Sequence, residues 1–164
     1  LSLYKVYDLI IKLNYSEFDL VYFDQVSDDS SILLDENFNK KEALILKLLS
    51  DCKKKKLKIL FRPHPKGFNI ENVILFQKNG AKISMKKESM EVISKIPIVS
   101  TFNSTIGIET IQTDRPLITL GNSFYKNAGG VFSALEDVSY NNNTKKMRDD
   151  FIQRLKSLHI YLEP

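Results

Sequence analysis

An α/β fold, with a parallel sheet covered by helices on both faces, follows from three features of the sequence. Short apolar runs alternate with longer segments whose apolar residues recur at helical spacing. The clearest apolar runs end in polar loops with unusual residue choices. A hydrophobic content of 43% beside 27% charged residues, over 164 residues, suits one soluble globular domain. Strands that alternate with helices pair in parallel through crossover connections, which gives a Rossmann-like arrangement.

Taken in order, Leu3, Val6, Tyr7, Ile10 and Ile11 predict a helix over residues 4–13, and residues 19–23 read as a buried strand. Residues 24–31 are polar. Leu44, Ile45, Leu48 and Leu49 mark the buried face of a helix over residues 41–49. The strand at residues 57–61 runs into Arg62-Pro63-His64-Pro65-Lys66-Gly67, where two prolines forbid helix and hold an extended loop. Residues 71–79 predict a short helix with Gly80 as its C-cap, followed by a small strand at 81–84. A helix at 89–95, a strand at 97–101, a helix at 104–112 and a fifth strand at 116–120 continue the alternation. Gly129-Gly130 mark a loop, residues 141–143 a polar tract, and residues 145–158 the last helix.

The composition excludes several classes. No apolar run reaches the roughly 18 residues of a membrane-spanning helix. The single Cys52 cannot form an internal disulfide, and two histidines make no structural zinc site, so a cytoplasmic setting is expected. The net charge of +4 comes from five lysines, Lys53 to Lys56 and Lys58, with no interleaved aromatic residues, which argues against nucleic acid as partner. The run reads as a solvated helix terminus, with an anionic membrane surface as the alternative. The chain begins inside an amphipathic pattern at Leu1, so residues 1–164 are expected to be one α/β domain of a longer two-domain protein.

Three polar loops carry the candidate chemistry, because ligands of such sheets bind beyond the carboxyl ends of the strands. In the loop 100–109, Asn103, Ser104 and Thr105 open a helix whose free N–H groups favour an anion. Gly107 leaves room for a ligand or strand to approach, and Glu109, one turn beyond Thr105, suits a ribose diol. The alternative is an ordinary N-cap at Asn103 or Ser104 with a solvated Glu109. In the loop 62–67, the prolines fix His64 between Arg62 and Lys66, where it would donate to a phosphate or act as a general acid, or simply cap a carbonyl. His159 has no assigned role. In the loop 25–31, the adjacent Asp28 and Asp29 repel each other, so one is expected at a raised pKa for acid–base or nucleophilic work, unless they form a capped turn. Neither a glycine-rich dinucleotide fingerprint nor a Walker loop occurs, which disfavours hydride transfer and P-loop hydrolysis.

The ordered set Gln25-Val26-x-Asp28-Asp29-x-Ser31, Arg62-Pro63-His64-Pro65, Asn103 to Glu109 and Arg115 to Tyr125 resembles the bacterial capsule polysaccharide biosynthesis and export proteins. The resemblance runs from about Val21 to Gly130. That family contains β-Kdo glycosyltransferases, which use CMP-Kdo to build the oligo-Kdo linker between a phospholipid and the capsule. It implies the C-terminal, nucleotide-binding half of a GT-B-like glycosyltransferase with no cofactor beyond the donor substrate. His64 and Pro65 would be the family's His-Pro motif near the nucleotide phosphate, with Arg62 and Lys66 beside it. Ser104, Thr105 and Glu109 would form its nucleotide-binding turn, and Asp28 and Asp29 its acidic pair, with Asp29 acting at the anomeric carbon. The implied partners are a CMP-sugar donor, a lipid-linked glycan acceptor and peripheral contact with the inner membrane or an export complex. Ser27 stands where relatives usually carry an acidic residue, and Gly129-Gly130-Val131 where they more often show one glycine then Leu-Thr. A non-catalytic remnant that binds nucleotide or glycan, and a sugar-nucleotide epimerase, are the competing expectations.

Overall fold

The computed structural model describes residues 13–26, 29–67, 69–85, 88–139 and 141–158. Six strands form one sheet: β1 (Leu20–Phe23), β2 (Ile59–Arg62), β3 (Lys82–Ile83), β4 (Ile98–Thr101), β5 (Leu117–Thr119) and β6 (Val131–Phe132). Every neighbouring pair is parallel, in the order β3-β2-β1-β4-β5-β6. The helices are α1 (Ser30–Leu33), α2 (Lys41–Lys54), α3 (Ile70–Lys78), α4 (Ser89–Lys95), α5 (Ile106–Ile111) and α6 (Asn142–Ser157). The chain winds outward in both directions from the adjacent β1 and β4, so a crevice opens beyond their carboxyl ends. Phe23 lies level with both Arg62 and Thr101, and the loops after β1, β2 and β4 therefore leave the sheet side by side.

Alternating side chains build a core on each face of the sheet. Leu20 and Tyr22 point with Ile59 and Phe61 toward α2 and α3, where Ile45, Leu48, Leu49, Cys52 and Phe76 are buried. Phe61 and Phe76 stack with ring centroids 4.2 Å apart. Val21 and Phe23 point the other way with Leu60 and Val99, against Val92 and Ile93 of α4 and Ile106 and Ile111 of α5. Burial on both faces explains why these strands read as continuous apolar runs rather than alternating ones. Burial pushes the Cys52 thiol up to about 12, an inert core position.

The predicted architecture holds, with four refinements. The sixth strand, β6, is two residues long after Gly129-Gly130 and leaves no periodic signal. The last helix begins at Asn142 rather than 145, because Asn141 and Thr144 close a capping box that turns the polar tract into a helix start. The helix predicted at 41–49 runs on to Lys54, so the lysine run begins as its last turn and cap, the solvated helix terminus expected. The predicted 104–112 helix begins at Ile106, with Thr105 as an N-cap that makes no side-chain cap bond. Residues 4–12 of the expected helix at 4–13, and His159, lie outside the described residues.

Gly129 and the buried Arg148 fasten α6 to the end of the sheet. The Arg148 guanidinium donates to the carbonyl oxygens of Gly129 (2.6 Å), Thr113 (2.7 Å), Arg115 (2.7 Å) and Gly130 (3.0 Å). A Cβ on Gly129 would sit 1.9 Å from the Thr144 carbonyl oxygen and 2.6 Å from the Arg148 nitrogen. Gly129 is thus a packing requirement of this helix, while Gly130 takes a left-handed φ of +75°.

Candidate functional site

The site is built where β1, β2 and β4 end. Gln25, the second residue past β1, is buried and reaches the loop after β4. Its amide nitrogen donates to Asn103 Oδ1 (3.0 Å), and its oxygen accepts the Asn103 backbone N–H (2.9 Å). The Asn103 amide nitrogen donates onward to the Ser31 carbonyl (2.7 Å) and to Asp35 Oδ2 (2.8 Å). Asp35 also accepts the backbone N–H groups of Asn37 (2.8 Å) and Asn122 (2.6 Å). Both amide hydrogens of Asn103 are therefore engaged within the protein, and the residue fixes four loops rather than presenting donors outward.

Asp29 is the N-cap of α1. Its Oδ1 accepts from the Ser31 backbone N–H (2.9 Å) and the Ser31 hydroxyl (2.8 Å). Partial burial raises the Asp29 carboxyl, but the Ser31 and Gln25 hydrogen bonds and the nearby His64 outweigh it and hold the group below its ordinary value. Of the two adjacent carboxylates, one of which was expected at a raised pKa, Asp29 is not that one, for the hydrogen bonds favour the charged form. Asp28 and Ser27 lie outside the described residues.

Among the described residues the carboxyl with a raised pKa is Asp24, which sequence reasoning missed. It is only 3% exposed at the end of β1 and receives both oxygens' bonds from the Asn72 amide of α3 (3.1 and 3.2 Å). Burial pushes its carboxyl upward, against the Asn72 bonds and the Lys41 charge. Lys41 opens α2, half-buried, with Nζ 5.5 Å from the centre of the Phe102 ring. Burial lowers its pKa while Asp24 and Asp29 oppose the shift. A cation in the first turn of a helix works against the dipole, and that was the one available sequence signal for Lys41. Asn72 reads as an ordinary helix surface residue and gave none.

His64 follows β2, next to the loop after β1, and is half-exposed. Its Nδ1 accepts the Lys66 backbone N–H at 3.2 Å, which leaves the proton on Nε2 in the neutral ring. Burial, then the Arg62 and Lys66 charges, lower its pKa, and Asp29 pulls the other way. Arg62 is buried with its guanidinium 5.3 Å from the Phe23 ring centre, and Pro65 and Lys66 complete the turn. Gly67 packs against Val26, where an added Cβ would lie 3.4 Å from Cγ1, so the first two loops touch.

The third loop differs in detail from its expected role. Ser104 Oγ accepts the Ile106 N–H at 3.3 Å, and Thr105 is exposed. The space left by Gly107 is taken by the Tyr125 ring, whose carbons would come within 2.5 Å of a Cβ there, and the Tyr125 hydroxyl donates to the Ser104 carbonyl. That contact replaces the ligand approach expected at Gly107. Glu109 accepts from the Ser89 hydroxyl at the start of α4 (2.7 Å), which binds α5 to α4. Beside this constellation, a cleft of about 680 Å³ runs between α2 and α3 and reaches Lys41 and Asn72. Asp24, Asp29, Lys41 and His64 thus form one electrostatically linked group at the end of the sheet.

Comparison with known proteins identifies the lineage. Residues 11–158 match the family profile of the capsule polysaccharide biosynthesis protein. No curated protein sequence gives a significant match. The fold is similar to the β-Kdo 2,7 transferase of Thermosulfurimonas dismutans KpsC, at 20% identity and TM-score 0.55, over 84% of this chain and 45% of that one. The β-Kdo 2,4 transferase of the same KpsC aligns at 17% identity and TM-score 0.52, over 80% and 43%. The wall teichoic acid polymerase TagF aligns at 14% identity and TM-score 0.51, over 94% and 40%. The chain spans less than half the length of each of these structures, and at such identities the likeness is one of fold. The family match covers most of the chain, across all three loops of the site: this chain belongs to the capsule polysaccharide biosynthesis protein family.

Proposed function

We propose that the chain is the nucleotide-binding half of a glycosyltransferase that uses CMP-Kdo as donor and a lipid-linked glycan as acceptor in capsule linker synthesis. The observation that carries the reading is the placement of His64 and Asp29 on the neighbouring loops after the paired strands β2 and β1, beside the β1–β4 crevice, in a chain of the capsule family. A neutral His64 offers an Nε2 proton to the donor phosphate, and that bond strengthens as CMP leaves and charge gathers on its oxygens. Lys66 adds a cation to the same loop, and Ser104 and Thr105 border the crevice from the other side. Asp29 stays ionised, so its part is to hold negative charge against an oxocarbenium-like anomeric carbon, not to accept a proton. Glu109, tied to Ser89, would meet the ribose only with its second oxygen.

The capping role of Asp29 favours one second reading, a non-catalytic module that binds nucleotide within a capsule-assembly complex. Asp29→Asn separates the two, because asparagine keeps the cap and removes the charge. The transferase reading expects CMP affinity retained and transfer from CMP-Kdo lost, measured in the protein that carries both halves. Full transfer by that variant contradicts the Asp29 assignment, and no transfer by the unaltered protein favours the binding module.

A further inference from the structure

The lysine run acquires partners that its sequence does not reveal. At the amino ends of β2 and β3, opposite the candidate site, a cleft of about 640 Å³ is rimmed by Lys53, Lys56, Lys58, Lys78 and Lys82. The first two come from the end of α2, Lys78 from the end of α3, and Lys82 from β3. All five are exposed, and none makes an ion pair among the described residues, where lysine ion pairs go to Lys47, Lys54, Lys95 and Lys145. Glu17 is the only acidic side chain on the rim. The carboxyl ends of α2 and α3 also meet here, worth roughly half a negative charge each, far short of five cations.

Lys56 carries a second indication. α2 and α3 end in the same way, with paired hydrogen bonds from Lys56 to Lys53 (3.1 Å) and Leu57 to Cys52 (2.9 Å), and from Gly80 to Gln77 (3.0 Å) and Ala81 to Phe76 (3.0 Å). Gly80 takes the left-handed position of α3 at φ +85°. The equivalent residue of α2 is Lys56, at φ 57°, the only non-glycine residue with positive φ among the described residues. A Cβ is unfavourable there, and glycine would serve the fold better. The Lys56 charge thus sits at a position where glycine would cost the backbone less.

We propose that this lysine rim is a docking surface for an anionic lipid bilayer. The rim has no arginine fork and no exposed aromatic platform, the groups that nucleic-acid binders use, so its attraction is diffuse and charge-driven. Such an interaction suits the closely spaced phosphates of a bilayer, to which each lysine contributes about fivefold in partitioning. Docking by this end leaves the crevice beyond β1 and β4 facing away from the lipid. The inference stands apart from the transferase reading, since it uses none of the same residues.

Sedimentation of the full chain with phosphatidylcholine vesicles, with and without 30% phosphatidylglycerol by mole (about one lipid in three), tests it. The expected result is binding to the anionic vesicles alone, weakening as salt rises. Lys56→Gly should raise the unfolding midpoint yet lower partitioning about fivefold, and Lys78→Gln with Lys82→Gln should lower it by more than tenfold. Lys145→Gln with Lys156→Gln, an equal loss of charge elsewhere, should leave binding near its original level. Equal loss in that control, equal binding to neutral vesicles, or preferential binding of single-stranded RNA over anionic vesicles would each overturn the proposal.

Discussion

Gln25 and Asn103 exchange hydrogen bonds between the loops that leave the paired strands β1 and β4, side chain to side chain at 3.0 Å and backbone to side chain at 2.9 Å, although 78 positions separate them. The pair locks the loops after β1 and β4 at the spacing the candidate site requires. Gln25→Ala leaves the buried Asn103 N–H without an acceptor, which costs about 1–3 kcal/mol. Chemical denaturation should show that loss, and a double variant with Asn103→Ala should lose less than the sum of the two singles. Additive losses would mean that the two residues act independently.

Asp24 links stability to pH in a direction opposite to that of a salt-bridged carboxylate. Its folded-state pKa lies above the ordinary 3.8, so the folded chain holds a proton that the unfolded chain releases first. The contribution of Asp24 is fully present below pH 3.8 and is lost as pH rises through the folded value. Asp24→Asn should therefore be the more stable protein at pH 7, with the difference shrinking toward acid. Urea midpoints of both proteins between acid and neutral pH measure this, and a gap independent of pH would contradict it.

Gly129 and Arg148 carry the attachment of the last helix. Gly129→Ala forces a Cβ into the Thr144 carbonyl. Arg148→Met takes a donor from the buried carbonyl oxygens of Gly129 and Gly130, and leaving that of Gly129 unpaired costs about 1–3 kcal/mol. Both variants should unfold at markedly lower temperature. Gly130→Ala is also expected to be strained, since its φ is +75°. A Gly129→Ala protein with an unchanged melting temperature would show that α6 sits elsewhere.

The fold was legible because it is written in local patterns. The continuous apolar run from Leu20 to Phe23, the helical spacing in α2 and Gly80 after α3 each reveal their element without any partner. β6 was invisible because two residues, Val131 and Phe132, carry no period. The site was legible only as loops: His64 was marked by its prolines and Asp29 by its position past a strand. The raised pKa of Asp24 was not, since it comes from burial in the folded chain, which wins over the Asn72 bonds and the Lys41 charge and leaves no mark in the local sequence. Gly107 misled for the same reason, as its neighbour Tyr125 comes from 18 positions away in a loop with no regular structure.

The most direct test of the account is the affinity of CMP for the chain and for His64→Ala, by titration calorimetry beside the melting temperature of each. In the proposed complex the neutral His64, fixed by the Lys66 N–H bond to its Nδ1, would donate from Nε2 to a charged phosphate, a bond worth roughly 1.5–3 kcal/mol. The account predicts that CMP binds more tightly than UDP or NAD, and that His64→Ala weakens CMP about tenfold to a hundredfold while the melting temperature holds. Unchanged CMP affinity in a variant that melts lower would contradict it and leave His64 as scaffold.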